Sequence, residues 1–233
     1  MNIALILAGG SGARIATEIP KQFIEICGKT ILEHTLDVFE RHSLIDEIAI
    51  VINAQHSTEI EKILQNDNFK KVKKIASGGA ERYDSSWAAI KAYQTYPDAN
   101  LIIHDAVRPM IDAEIITKVI TALEKYNAVS VAIPTTDTIY YVEDNHIQQI
   151  PDRKKMMQAQ TPQAFKQHLI FKAYQAAFCQ KDFSATDDCG IVAKFLPNEP
   201  IFVVTGSTRN LKITHREDLC VLSELLKLNF VTQ

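Results

Sequence analysis

The residues best placed to do chemistry come early. Gly9, Gly10, Ser11, Gly12, Ala13 and Arg14 follow an apolar run, Ile3 to Ala8, and Lys21 lies seven residues beyond Arg14. Glycines let backbone N–H groups turn inward and approach a phosphate closely. The two cations beside them suit a polyphosphate, whose reacting phosphorus needs its surrounding charge neutralised. The spacing is neither G-x-x-x-x-G-K-[ST] nor G-x-G-x-x-G. A glycine-rich surface turn with solvated basic residues is the plainer alternative.

Further candidates follow later apolar runs. Gly78-Gly79-Ala80-Glu81-Arg82-Tyr83-Asp84-Ser85 is a second small-residue turn opening a helix. Asp105 ends the run Leu101 to His104 and precedes Ala106-Val107-Arg108-Pro109. A carboxylate there suits one Mg²⁺ held mainly by phosphate oxygens and water; a helix cap or a pair with Arg108 is the alternative. No second His or Cys stands at ligand spacing from His104, which reads as structural.

The elements that must position these residues alternate. Strand-like runs at 3–7, 47–52, 72–76, 101–104 and 128–133 are separated by helical patterns at 31–42, 59–64, 81–96 and 113–126. This is an α/β chain with a mostly parallel sheet and helices on both faces. Ligands in such sheets sit beyond the carboxyl ends of the strands. The pattern breaks after Pro134, where 138–142 and 146–150 read as two extended segments around Glu143-Asp144-Asn145. Helices are expected at 164–178, 187–195 and 217–228, and strands at 201–204 and 211–214.

Composition sets the bounds. The chain has 233 residues, 46% hydrophobic and 23% charged, with net charge −3, which fits one globular domain and excludes disorder or coiled coil as the dominant state. No positive field invites nucleic acid, and no apolar run approaches a membrane span. No signal peptide is evident, and four cysteines without C-x-x-C spacing read as reduced thiols. A cytoplasmic location is expected.

Taken in order, the segments resemble a known family. Leu-Ala-Gly-Gly-x-Gly-x-Arg, Pro20-Lys21-Gln22-Phe23, Gly78 to Ser85, His104 to Pro109, Asp137-Thr138, Gln160-Thr161-Pro162-Gln163 and Asn210-Leu211-Lys212-Ile213-Thr214 are similar to the sugar-nucleotide pyrophosphorylase superfamily. More narrowly, they resemble the cytidylyltransferases that make CDP-methylerythritol or CDP-ribitol. The resemblance implies a Rossmann-like three-layer sandwich with a mostly parallel sheet and a protruding β-arm. It would be a single nucleotidyltransferase domain over 1–233, with a dimerisation arm at about 138–158.

It also implies roles. Arg14, Lys21 and Lys212 would be catalytic, facing the CTP phosphates. Leu7, Ala8, Gly9, Gly10, Ser11, Gly12, Gly79, Ala80, Arg82, Ser85 and Ala106 would hold the nucleotide, with Arg82 organising the 78–85 turn. Asp105, Arg108, Thr138, Arg153, Thr161 and Thr186 would hold the acceptor, a small polyol phosphate, and Asp105 the Mg²⁺. Arg153 would lie on an arm exchanged between two protomers, making the protein a homodimer. The Ile-Pro-x-Arg start of 150–153 and Asp188-Cys189-Gly190-Ile191-Val192 lean toward D-ribitol 5-phosphate as acceptor, with 2-C-methyl-D-erythritol 4-phosphate as the alternative. Three departures from the family pattern are Ile15-Ala16, Met156-Met157 and Arg209. A nicotinamide-dependent oxidoreductase and a non-catalytic nucleotide sensor are the readings from other classes. The glycine spacing opposes the first, and the full set of Arg14, Lys21, Asp105 and Lys212 opposes the second.

Overall fold

The computed structural model describes residues 1–10, 19–65, 68–180 and 183–231. In chain order its elements are β1 (Asn2–Ala8), β2 (Glu25–Ile26), β3 (Lys29–Thr30), α1 (Ile31–Arg41), β4 (Glu47–Ile52), α2 (Ser57–Leu64), β5 (Val72–Ser77) and α3 (Arg82–Ala92). Then come β6 (Asn100–Asp105), α4 (Ala113–Ala122), β7 (Ala128–Pro134), β8 (Tyr141–Glu143), β9 (His146–Gln149), β10 (Met157–Lys166), α5 (Gln167–Phe178), α6 (Asp188–Phe195), β11 (Ile201–Thr205) and α7 (Glu217–Val231).

Seven strands form one sheet in the order β11-β7-β10-β6-β1-β4-β5. The pairs of β1 with β4 and β6, β4 with β5, and β7 with β11 are parallel. β10 runs antiparallel to both neighbours. Alternation along β1 explains the layering. Ala4, Ile6 and Ala8 pack with Leu32, Leu36 and Phe39 of α1 and with α2 and α4. Ile3, Leu5 and Leu7 point the other way, against α3, α5 and α6. A strand apolar on both faces must be covered on both, so the sheet lies between two helical layers. A smaller third core joins α7 to Ile31, Val107, Met110 and Ile213.

The structure corrects three expectations. Residues 157–166 form a central strand, and helix begins only at Gln167. Polar Gln160 to Gln163 with an internal proline does not read as a core strand. The fold accommodates it with a register shift against β7 between Gln160 and Gln163. Residues 211–214 are not a strand. The apolar signal there comes from Ile213, which is fully buried and donates its N–H to Val107 O at 2.9 Å. The helices expected to reach residues 96 and 126 end at Ala92 and Ala122.

The arm is a hairpin of β8 and β9. Its turn residues Asp144 and Asn145 both have positive φ, 47° and 62°, as a tight two-residue hairpin turn requires. Tyr140, Tyr141, Val142, Ile147 and Ile150 on it are all at least half exposed. The four cysteines are free, and among the described residues no helix is long and apolar enough to cross a membrane.

Candidate active site

The carboxyl ends of β1, β4, β5 and β6 open onto a cleft of about 530 Å³, where a parallel sheet is expected to bind ligands. Leu7, Ala8, Gly9 and Gly10 line it after β1, Asn53 after β4, and Gly79 to Arg82 with Ser85 after β5. Asp105 and Val107 follow β6, and Lys21, Gln22, Thr186 and Lys212 complete the wall.

Close approach explains the second glycine turn. A Cβ on Gly78 would come within 2.5 Å of Ser85 Oγ, and one on Gly79 within 2.3 Å of Asp84 Cβ. A Cβ on Gly9 would likewise come within 3.1 Å of Ser85 Oγ, so the loops after β1 and β5 meet around Ser85. Asp84 organises the turn, its carboxylate accepting the Glu81 N–H at 3.0 Å.

Lys21 is only 8% exposed, and its Nζ donates to the Ile213 carbonyl at 2.8 Å. That burial removes the reading of a solvated lysine and sets its ammonium next to the Lys212 segment. Gln22 donates to the carbonyls of Ala8 and Gly10 at 2.8 and 3.2 Å, holding the start of the glycine loop in place.

Asp105 is the electrostatic hub. Its Oδ2 lies 2.9 Å from Lys212 Nζ and 3.4 Å from Arg108 Nε, and its Oδ1 lies 3.4 Å from Arg82 Nε. Burial alone would raise its pKa, but the charges of Arg82, Lys212 and Arg108 outweigh burial and hold it well below the usual carboxylate range. Arg82 also reaches Asp188, Nη1 to Oδ2 at 2.8 Å. Burial opposes its charge too, yet Asp188 and Asp105 hold it firmly protonated. Arg82 thus bridges two carboxylates rather than organising the 78–85 turn, which corrects the expected role.

Behind Asp105, His104 is fully buried. Its Nε2 donates to the Arg108 carbonyl at 3.1 Å, so Nδ1 accepts, and the Thr161 hydroxyl supplies that proton at 3.0 Å. The same hydroxyl accepts the Asp105 N–H at 3.1 Å. Burial lowers the His104 pKa to about 4. His104 is a structural neutral imidazole, as expected, and not a metal ligand.

The arrangement gathers glycine turns, the cations Lys21, Arg82 and Lys212, and the buried Asp105 around a pocket open to solvent, which suits transfer of a nucleotidyl group from a triphosphate. The family described as 2-C-methyl-D-erythritol 4-phosphate cytidylyltransferase (IspD) matches residues 2–227. The chain belongs to that family. It is a nucleotidyltransferase, a cytidylyltransferase that uses CTP and a polyol phosphate.

Two of its relatives carry different names. The chain is 42% identical over 230 residues to the 2-C-methyl-D-erythritol 4-phosphate cytidylyltransferase of Thermobifida fusca, covering 96% of this chain and 92% of that one. It is 48% identical over 229 residues to a bifunctional ribulose 5-phosphate reductase/CDP-ribitol pyrophosphorylase of Haemophilus influenzae, covering 97% of this chain and 48% of that protein. The crystal structure of 4-diphosphocytidyl-2C-methyl-D-erythritol synthase from Anaerococcus prevotii superposes with a TM-score of 0.86 at 32% identity, over 97% and 96% of the two chains.

For this cytidylyltransferase the residues marked out from the sequence fall into three places. Leu7 to Gly10, Lys21, Gly79, Ala80, Arg82, Ser85, Asp105, Thr186 and Lys212 share the cleft. Ala106, Arg108 and Thr161 lie behind it. Ala106 is fully buried with its N–H on Leu7 O at 3.0 Å, and Arg108 Nη1 donates to Asn210 O at 2.8 Å. In this structure these three sit directly behind the wall, Arg108 Nε lying 3.4 Å from Asp105 Oδ2. Thr138 and Arg153 are exposed at the arm, Arg153 donating to Thr136 O at 3.0 Å; within one chain they do not line the cleft. Ser11, Gly12 and Arg14 lie outside the described residues. So do Ile15 and Ala16.

Sequence reasoning assigned no role to Gln22, Asn53 or Asp188. Gln22 stood beside Lys21 in a quoted motif and could have been found there. Asp188 also stood in a quoted segment, but its pairing with Arg82 depends on packing and has no local signal.

Among the described residues no group of three or more His, Cys, Asp or Glu could hold a metal. Asp105 and Glu81 are the carboxylates on the wall. That donor set fits a Mg²⁺ shared with phosphate oxygens and water and does not fit a cage built by the protein.

Proposed function

We propose that this cytidylyltransferase moves CMP from CTP to D-ribitol 5-phosphate and releases pyrophosphate. The observation that carries the choice of acceptor is the 48% identity with the Haemophilus influenzae protein named for CDP-ribitol pyrophosphorylase activity. In the reaction an oxygen of the acceptor phosphate attacks the α-phosphorus in line. The bond from that phosphorus to the bridging oxygen breaks, and pyrophosphate leaves with the electron pair. Backbone N–H groups at Gly9 and Gly10 would cradle the phosphates. Lys21 and Lys212, joined by Arg14, would stabilise the charge on the α-phosphorus oxygens and on the leaving group. Asp105 would hold a Mg²⁺ shared with the triphosphate, which supplies charge neutralisation there. Gly79, Ala80 and Ser85 would read the cytosine edge.

Thr186 and Asp105 would face the acceptor, and Arg82, expected on the nucleotide, lies beside Asp105. Arg153 and Thr138 would reach the acceptor phosphate of a partner chain, making the enzyme a homodimer through the exposed arm. A guanidinium fork with a hydroxyl donor suits a phosphate, and the apolar exposure of β8 and β9 supports a covered arm. We place the protein in the cytoplasm, where CTP is available.

A second acceptor has its own support. The family description and the Thermobifida fusca relative both name 2-C-methyl-D-erythritol 4-phosphate. Pyrophosphate release with CTP and Mg²⁺, followed in parallel with each acceptor, separates the two. A strong signal with ribitol 5-phosphate is expected. A strong signal only with methylerythritol 4-phosphate overturns the ribitol assignment, and silence in both overturns the acceptor side altogether.

A further inference from the structure

Asp188 is a fully buried carboxylate that the reaction as described does not use. Its position is set from three sides. Its N–H donates to Gln163 Oε1 at 3.0 Å, from the central strand β10. Its Oδ1 accepts the Tyr174 hydroxyl of α5 at 2.6 Å. Its Oδ2 lies 2.8 Å from Arg82 Nη1. The neighbouring Asp187 caps α6 through the Gly190 N–H at 2.7 Å, and Gln163 Nε2 donates to Asp187 Oδ2 at 2.7 Å. Hydrogen bonds thus hold the entry to α6 against β10, and Thr186, on the cleft wall, directly precedes it.

A buried ion pair is weak evidence for stability, because desolvation cancels much of its attraction. The geometry here gives this pair another consequence. Arg82 uses one nitrogen on Asp188 and another on Asp105, while Nη2 is buried without a hydrogen-bond partner among the described residues. With Asp188 in place the guanidinium is shared, and Asp105 remains open to Lys212 at 2.9 Å. Without that anchor, the charge of Arg82 would fall wholly on Asp105 and compete with Lys212 for it.

We propose that Asp188 is a positioning residue: by gripping Arg82 from the core, it sets the placement of Asp105, on the acceptor side of the cleft, and of the Lys212 that pairs with it. The consequence for turnover rests on the function proposed above; the geometric link does not.

The test is Asp188→Asn, which keeps shape and removes charge, alone and combined with Arg82→Gln. Acceptor KM is expected to rise about tenfold or more, with the CTP KM changing less than about threefold, and the double variant no worse than Arg82→Gln alone. Additive losses, or equal losses in both KM values, overturn the proposal. Tyr174→Phe removes one donor to the same carboxylate and carries the test with a smaller shift of the same kind if Asp188→Asn does not fold. A readout independent of turnover is the Arg82 Nη1–H resonance, on the nitrogen 2.8 Å from Asp188 Oδ2. Slow exchange with water in the wild type and fast exchange in Asp188→Asn is expected, and unchanged exchange overturns the link. Should the wild type be inactive with both acceptors, the proposed acceptor fails while the resonance still decides the role of Asp188.

Discussion

Lys212 Nζ stands 2.9 Å from Asp105 Oδ2, so the segment before α7 is tied to the carboxyl end of β6. Chain segments more than a hundred residues apart meet at one carboxylate. Lys212→Ala is expected to lower turnover about 100-fold or more by removing charge from the transition state, with CTP still bound by calorimetry. A wild-type rate in that variant removes Lys212 from the catalytic set.

Lys21→Ala is expected to cost at least about 100-fold in turnover on the same ground. It also empties the Ile213 carbonyl of its donor at 2.8 Å, so circular dichroism should accompany the rates. Arg14→Ala is expected to match it in rate loss. Normal turnover in either variant contradicts the assigned roles.

Gly78→Ala places a Cβ 2.5 Å from Ser85 Oγ. The strain should cost about 1–3 kcal/mol in urea unfolding and raise the CTP KM. Combining it with Ser85→Gly is expected to restore part of the lost stability, because the clash needs both atoms. Strict additivity of the two would contradict the close approach.

His104 predicts a pH dependence of stability. It is buried neutral with its pKa lowered by burial to about 4, against about 6.5 in an unfolded chain. Between those values the unfolded state binds more protons, so stability is full above about pH 6.5 and falls as pH falls toward about 4, by about 3 kcal/mol in total. Denaturant titrations across that range should show the slope in the wild type. A His104→Gln variant should be flatter there, and an equal slope in both chains would assign it elsewhere.

Arg153→Ala is expected to raise the acceptor KM more than the CTP KM, and light scattering of the wild type to report a dimer. A fully active monomer, or a defect confined to CTP, contradicts the exchanged arm.

Local signals made much of the molecule legible. Runs such as Ile3 to Ala8 are apolar at every position, which only a strand covered on both faces satisfies, and so the layered sheet was readable. The glycine turns, Lys21, Asp105 and the hairpin signal of Asp144-Asn145 are equally local. What escaped has its cause outside its own segment. The strand at 157–166 carries Gln160, Thr161, Pro162 and Gln163, residues that suggest a loop until β6 and β7 are seen on either side. The 211–214 run resembles a strand because Ile213 is buried, though its N–H goes to Val107. In the site, the residue types of Arg82, Asp105, Arg108 and Asp188 were plain in the sequence; which cation pairs with which carboxylate was not. Pairing depends on distances between chain segments that only packing brings together. The sequence alone pointed to the class of chemistry, because residue types and short spacing suggest a phosphate-binding loop and the ordered segments resemble a known family. The tertiary structure decided that Thr161 serves the backbone of Asp105, that Arg82 spans two acids, and that Asp188 meets Arg82 from the core, because each is a contact between elements far apart along the chain.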